Sequence, residues 1–126
     1  MVKKLSIIFT AAFLLNLVWE NLHSYFYAHY QGGAITEFIL LRATLFDAVF
    51  ITLLAIPFIS VPYLRERKWY AILIGFIVAI FIELFALKTG RWAYGEFMPV
   101  VPLINTGLTP TVQLGILSYL IFRRQI

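Results

Sequence analysis

Residues 83–113 read ELFALKTGRWAYGEFMPVVPLINTGLTPTVQ. An apolar run carrying one carboxylate, Glu83, gives way to a short polar loop with Gly90, Arg91, Trp92, Tyr94 and Gly95. Met98-Pro99 and Pro102 lead back into apolar sequence, which Asn105-Thr106-Gly107 and Thr109-Pro110 interrupt again. In hydrocarbon, irregular backbone survives only where protein buries it or where it lines a wet cavity. A broken apolar segment beside a buried carboxylate therefore points to a pocket.

The remainder of the chain gives that stretch its setting. Of 126 residues, 62% are hydrophobic and 13% charged, with a mean hydropathy of +0.89. A soluble domain is about half apolar and about a quarter charged. The composition predicts an all-α, polytopic integral membrane protein of one domain, since no linker, repeat or low-complexity tract divides it. Cysteine is absent, which excludes disulfide exchange, thiolate metal sites and iron–sulfur clusters. The net charge of +4 resides at helix ends, so it reads as an orientation signal and not as a nucleic-acid surface.

A hydrocarbon core of roughly 30 Å needs about 20 apolar residues per helix. On that scale hydropathy predicts a four-helix transmembrane bundle, with spans at about 5–27, 38–61, 69–87 and 100–122. Lys3-Lys4 followed by LSIIFTAAFLL mimics a signal peptide. The run continues through Trp19 without a small-x-small cleavage site, so it is expected to stay as a helix. Lys3, Lys4, Arg65, Arg67, Lys68, Arg123 and Arg124 fall on the three segments that share a side when four helices alternate, whereas the first-to-second connection has no Lys or Arg. The positive-inside rule then places both termini in the cytoplasm of a multi-pass cell-membrane protein.

Polar residues on the four spans converge in depth at roughly 1.5 Å per helical residue. Asn16, Glu20, His23 and Tyr27 form one stripe of the first helix, spaced four, three and four apart. Arg42 and Asp47 lie on the second helix, Glu83 near the outer end of the third, and Asn105, Thr109 and Gln113 on the fourth. All fall in the outer half. Thr109-Pro110 reads as an N-cap with a first-turn proline, so the last helix is expected to be broken near Pro110, with a continuous helix kinked there as the alternative.

An ionisable residue inside a membrane helix costs about 2.5–3.5 kcal/mol on insertion scales and is a functional hypothesis by default. Glu20, Asp47 and Glu83 are therefore the candidate acid and base residues. Arg42 is expected to pair with one of them, which leaves an excess of carboxylates that must be protonated or bound to something. Asn16, His23, Arg42, Trp92, Tyr94, Asn105 and Gln113 are the candidate substrate-binding residues, with Trp92 and Tyr94 capping the pocket. The remaining interfacial aromatics read as a membrane belt. Glu20-Asn21-Leu22-His23 has the E-x-x-H spacing of di-iron bundles, which need two such motifs and two further glutamates. His23 and His29 both belong to the first helix or its exit and cannot clamp one haem iron from opposite sides. No metal and no cofactor is expected.

Three pieces resemble a widespread family of small, uncharacterised prokaryotic four-helix membrane proteins. They are Asn16-Leu17-Val18-Trp19-Glu20, Arg42-Ala43 with Asp47, and Trp92-Ala93-Tyr94 through Met98-Pro99 to Gly107-Leu108-x-Pro110-x-x-Gln113. That resemblance implies the four-helix fold and no activity. Glu83, Gly90 and Tyr94 are also similar to the pattern of membrane carotenoid hydratases and lycopene cyclases, which implies chemistry on polyene chains within the bilayer.

Three classes of function fit these residues. One is an enzyme on an isoprenoid-like or other lipid substrate, using Glu20, Asp47 or Glu83 in acid and base roles. Another is a carrier or binding protein for a cation or amphiphile, and the last is a structural or partner-binding subunit. The sequence leaves a homo-oligomer open. A long apolar opening to lipid would favour the first class, a polar vestibule the second, and a filled interior the third.

Overall fold

Apolar stretches closed by local stop signals produce the helices. In the computed structural model, which describes residues 1–126, α1 spans Val2–His23 and passes through a 3-10 turn, Ser24–Phe26, into the short strand β1, Tyr27–Tyr30. Helix α2, Glu37–Ser60, starts at Thr36, whose Oγ1 accepts a bond from the Ile39 N–H at 3.3 Å, and Glu37 sits in its positive first turn. A short α3, Pro62–Arg65, leads to α4, Tyr70–Lys88. Gly90 ends α4 at a φ of 73°: the Arg91 N–H bonds to the Ala86 carbonyl and the Gly90 N–H to that of Leu87, a glycine-closed C-terminus. Strand β2, Trp92–Tyr94, and α5, Leu108–Gln125, complete the chain.

The molecule is 71% helical, as an all-α reading requires. Helices α1, α2 and α4 are long and apolar enough to cross a membrane. Their outer faces expose Val18, Leu22, Leu45, Leu53, Ile77 and Phe81 in numbers that water would not tolerate. The fourth expected span is corrected. Residues 100–107 are not helical, because Pro102 and the Asn105-Thr106-Gly107 group divert the backbone into a closed loop. Helix α5 begins at Leu108, two residues before Pro110, and is not among the helices apolar enough to span. The first helix starts and ends sooner than expected, and Tyr27 belongs to β1.

The packing order is α2, α1, α5, α4: α1 packs on α2, α5 on both α1 and α4, and α2 touches α5 but packs little on α4. The α4–α5 contact is backbone on backbone, since a Cβ added to Gly75 would lie 2.3 Å from the Gly115 Cα. Toward the chain termini the interior is filled by Ile8, Ile51, Ala55, Phe58, Ile121 and Phe122, with the Phe58 and Phe122 rings 5.2 Å apart. Lys68 and Arg123 share one shallow depression there, which sets the α2–α4 connection beside the C-terminus. At the opposite end β1 and β2 pair antiparallel, Tyr27 with Tyr94 and Tyr30 with Trp92. This ribbon stitches the two connections together over an interior that the helices leave unfilled.

Candidate functional site

That unfilled end is a cavity of about 590 Å³. Ile39, Ala43 and Phe46 of α2 and Ala79 and Ile82 of α4 supply its apolar walls, Leu114 of α5 lies at its base, and the β1–β2 ribbon covers it. Helices α2 and α4 scarcely pack together, both line the cavity, and Phe46 of its lining stands 57% exposed. Along α2 the lining runs from Ile39 to Asp47, about 12 Å at 1.5 Å per residue.

All three candidate acids, Glu20, Asp47 and Glu83, line this one cavity. Gln113 organises two of them. Its Nε2 lies 2.8 Å from Asn16 Oδ1, 3.0 Å from Glu20 Oε1 and 3.0 Å from Asp47 Oδ2. An amide nitrogen has two hydrogens to offer, so three acceptors compete for them. Asn16 donates its own amide to the Ala12 carbonyl at 2.7 Å, which turns its oxygen toward Gln113. Asp47 receives its one amide bond at Oδ2, from Gln113, and is the half-buried member of the group. Glu20 is the better held of the two. Its Oε2 lies 2.9 Å from His23 Nε2, while His23 Nδ1 lies 3.1 Å from Thr109 Oγ1. The Thr109 hydroxyl also lies 3.6 Å from Met98 Sδ, so its one hydrogen decides which His23 tautomer is favoured.

Glu83 is fixed separately. Tyr27 donates its hydroxyl to Glu83 Oε1 at 2.8 Å, and the Trp92 indole N–H donates to Oε2 at 2.6 Å. Both donors come from the ribbon, which thereby locks itself to α4. Burial first, and then the adjacent Glu83 carboxylate, hold the Tyr27 hydroxyl well above its ordinary value. Tyr94 is likewise raised, chiefly by burial, although the Gly107 N–H that it accepts at 2.7 Å works the other way. Trp92 thus lines the cavity, whereas Tyr94 does not, and instead ties the ribbon to the start of α5.

Besides Tyr94, Arg42 and Asn105 are placed differently, and Asn16 is buried against Gln113 outside the cavity lining. Arg42 lines the cavity but forms no ion pair: Nη2 donates to the Tyr30 hydroxyl, and its guanidinium lies 5.6 Å from that ring's centre. As an exposed residue it keeps its hydration, so no carboxylate is needed to neutralise it. Asn105 is exposed outside the cavity with a φ of 61°, a left-handed corner that asparagine tolerates. The sequence reading missed Tyr30, His29 and Arg91, which all line the cavity. Only the pairing of β1 with β2, across more than sixty residues of chain, brings them there.

Glu20 and His23 gain no third ligand, since no group of three His, Cys, Asp or Glu side chains is placed to hold a metal ion. Compared with known proteins, the chain matches no family model, no curated protein and no solved structure.

Proposed function

We propose that the chain is a four-helix integral membrane protein, with cytoplasmic termini, that performs acid/base chemistry on an isoprenoid-like or other lipid substrate. The observation that carries this reading is the cavity lined by α2 and α4, two helices that scarcely pack together, with apolar walls and three carboxylates in its lining. In a bilayer a gap between those helices would meet acyl chains, so an apolar substrate would enter without crossing water. A relationship to the small prokaryotic four-helix membrane proteins belongs to the same proposal.

The side chains suit distinct roles. Asp47, the half-buried carboxyl in the cavity lining, is the acid that delivers a proton to an alkene carbon. The carbocation so formed would be stabilised by the Glu83 carboxylate and by the faces of Tyr27 and Trp92 beside it. Glu20, backed by His23, would accept a proton from a neighbouring carbon and close the step as an isomerisation. Because Glu20 and Asp47 meet at the same Gln113 nitrogen, the proton can return to Asp47 with no net consumption.

The test begins with native mass spectrometry of protein extracted from its own membranes, which should show a bound lipid. Incubation in D₂O should then place deuterium on an alkenyl carbon of that lipid, and Asp47→Asn should abolish the exchange. A bound lipid that never exchanges would replace the enzyme by the carrier reading. Protein with no lipid in the cleft would leave the structural subunit.

A further inference from the structure

The cavity's mouth carries charge of the opposite sign to its interior. Seven of the ten basic residues lie at the end shared by the chain termini, leaving Arg42, Lys88 and Arg91 at the ribbon end. Of these three, Arg42 and Arg91 line the cavity. Neither forms an ion pair: Glu37, one turn before Arg42, accepts from Asn21 at 3.1 Å instead, and Glu96 engages no arginine. Aromatic rings hold both guanidinium groups. Arg42 lies over Tyr30, which stacks on Trp92 at 6.3 Å, and Arg91 lies 5.5 Å from the Phe85 ring centre. A cation held by a ring face keeps its charge, and most of its five N–H donors stay free.

His29 adds a neutral donor at the same rim. Its Nδ1 accepts the Gly32 N–H at 3.0 Å, so the ring hydrogen is on Nε2, and His29 also lines the cavity. Free arginine forks and a neighbouring N–H are the donor set that recognises a tetrahedral oxyanion. Resting on the cleft reading above, we propose that Arg42, Arg91 and His29 form the headgroup site of the cleft, and that its occupant is an amphiphile bearing a phosphate-type anion. The head would stay at the membrane interface, where arginines attract lipid phosphates. The chain would then pass down α2, with Asp47 about 7.5 Å below Arg42 at 1.5 Å per residue.

Native mass spectrometry in a non-ionic detergent reads this directly, with dodecyl phosphate, dodecanol, dodecyltrimethylammonium and inorganic phosphate as probes. Dodecyl phosphate should bind at least about tenfold more tightly than dodecanol. The double variant Arg42→Gln with Arg91→Gln should erase that preference by lowering the affinity for dodecyl phosphate to that for dodecanol. Both residues are exposed, so the variant is expected to fold, and an unchanged melting temperature in the same detergent verifies it. Lys88→Gln removes a charge at the same end but outside the cavity, and it should leave the preference intact. Equal affinity for dodecyl phosphate and dodecanol would overturn the headgroup site while sparing the cleft. A preference for dodecyltrimethylammonium would overturn it in favour of the carboxylates as the polar anchor. Competition by inorganic phosphate at the alkyl phosphate's own concentration would replace the amphiphile by a free anion. Binding of neither dodecyl probe would remove the cleft reading together with this one.

Discussion

Gln113 makes three hydrogen-bond contacts through one nitrogen, to partners 66, 93 and 97 residues away. It is 4% exposed and Asn16 is fully buried, so water cannot replace what its amide provides. An unsatisfied buried polar group costs about 1–3 kcal/mol. Gln113→Leu should therefore destabilise the protein by roughly 3 kcal/mol, since it strands an amide oxygen and two carboxylates at once. Reversible unfolding in mixed micelles measures it. Adding Asn16→Leu should cost less than the sum of the two single changes, because the second variant removes a partner that the first had already stranded. Strict additivity would mean that the two amides do not act as a unit. At the same scale, Arg42 shows why an arginine in an apolar helix need not seek an acid. Placed in the second turn of α2, it is exposed and reaches Tyr30.

Helix α5 decides the shape of the site by where it begins. With residues 100–107 looped, α5 brings Thr109 to His23 and Gln113 to the carboxylates within its first two turns. The loop holds itself through the Val101 N–H to Thr106 carbonyl and Leu108 N–H to Pro99 carbonyl bonds, and Tyr94 anchors it to the ribbon. What keeps α5 at that height is its contact with α4. Gly75 and Gly115 allow the backbones to meet, so any side chain there must push the helices apart. Gly75→Ala should cost about 1–3 kcal/mol through overpacking. It should also move α5 relative to Glu20 and weaken lipid retention in the native mass spectrum. An unchanged melting temperature would show that the two helices have room to separate.

At the scale of the molecule, the order α2, α1, α5, α4 folds a row of helices into an open clasp. The core fills the clasp at one end, and the ribbon bridges it at the other, so the cavity lies between the two outermost helices. The basic residues concentrate at the filled end, so with the cytoplasmic termini proposed above the cleft would lie in the outer half. Cysteines introduced at positions 3 and 124 should react only with a reagent supplied from the cytoplasm, and one at position 32 only from outside. Labelling of position 32 from the cytoplasmic side would invert the topology and, with it, the leaflet from which a lipid enters.

The sequence by itself determined the helices and the depth of the polar residues, because both follow from local regularities. Apolar runs of about 20 residues mark spans, and the four-three spacing puts Asn16, Glu20 and His23 on one face whatever else is present. Glu20, Asp47, Glu83 and Gln113 could thus be expected to share a level. The short interruption at Pro102 and Asn105 was visible too, but hydropathy averages over such breaks and carried the last helix eight residues too far. Tertiary structure alone decided who bonds to whom. Arg42 chose Tyr30 over a carboxylate, Asn105 became a surface corner, and Tyr27, Tyr30 and Trp92 met only through a strand pairing between distant connections. Such choices depend on which long-range contacts close together, and no local spacing records that.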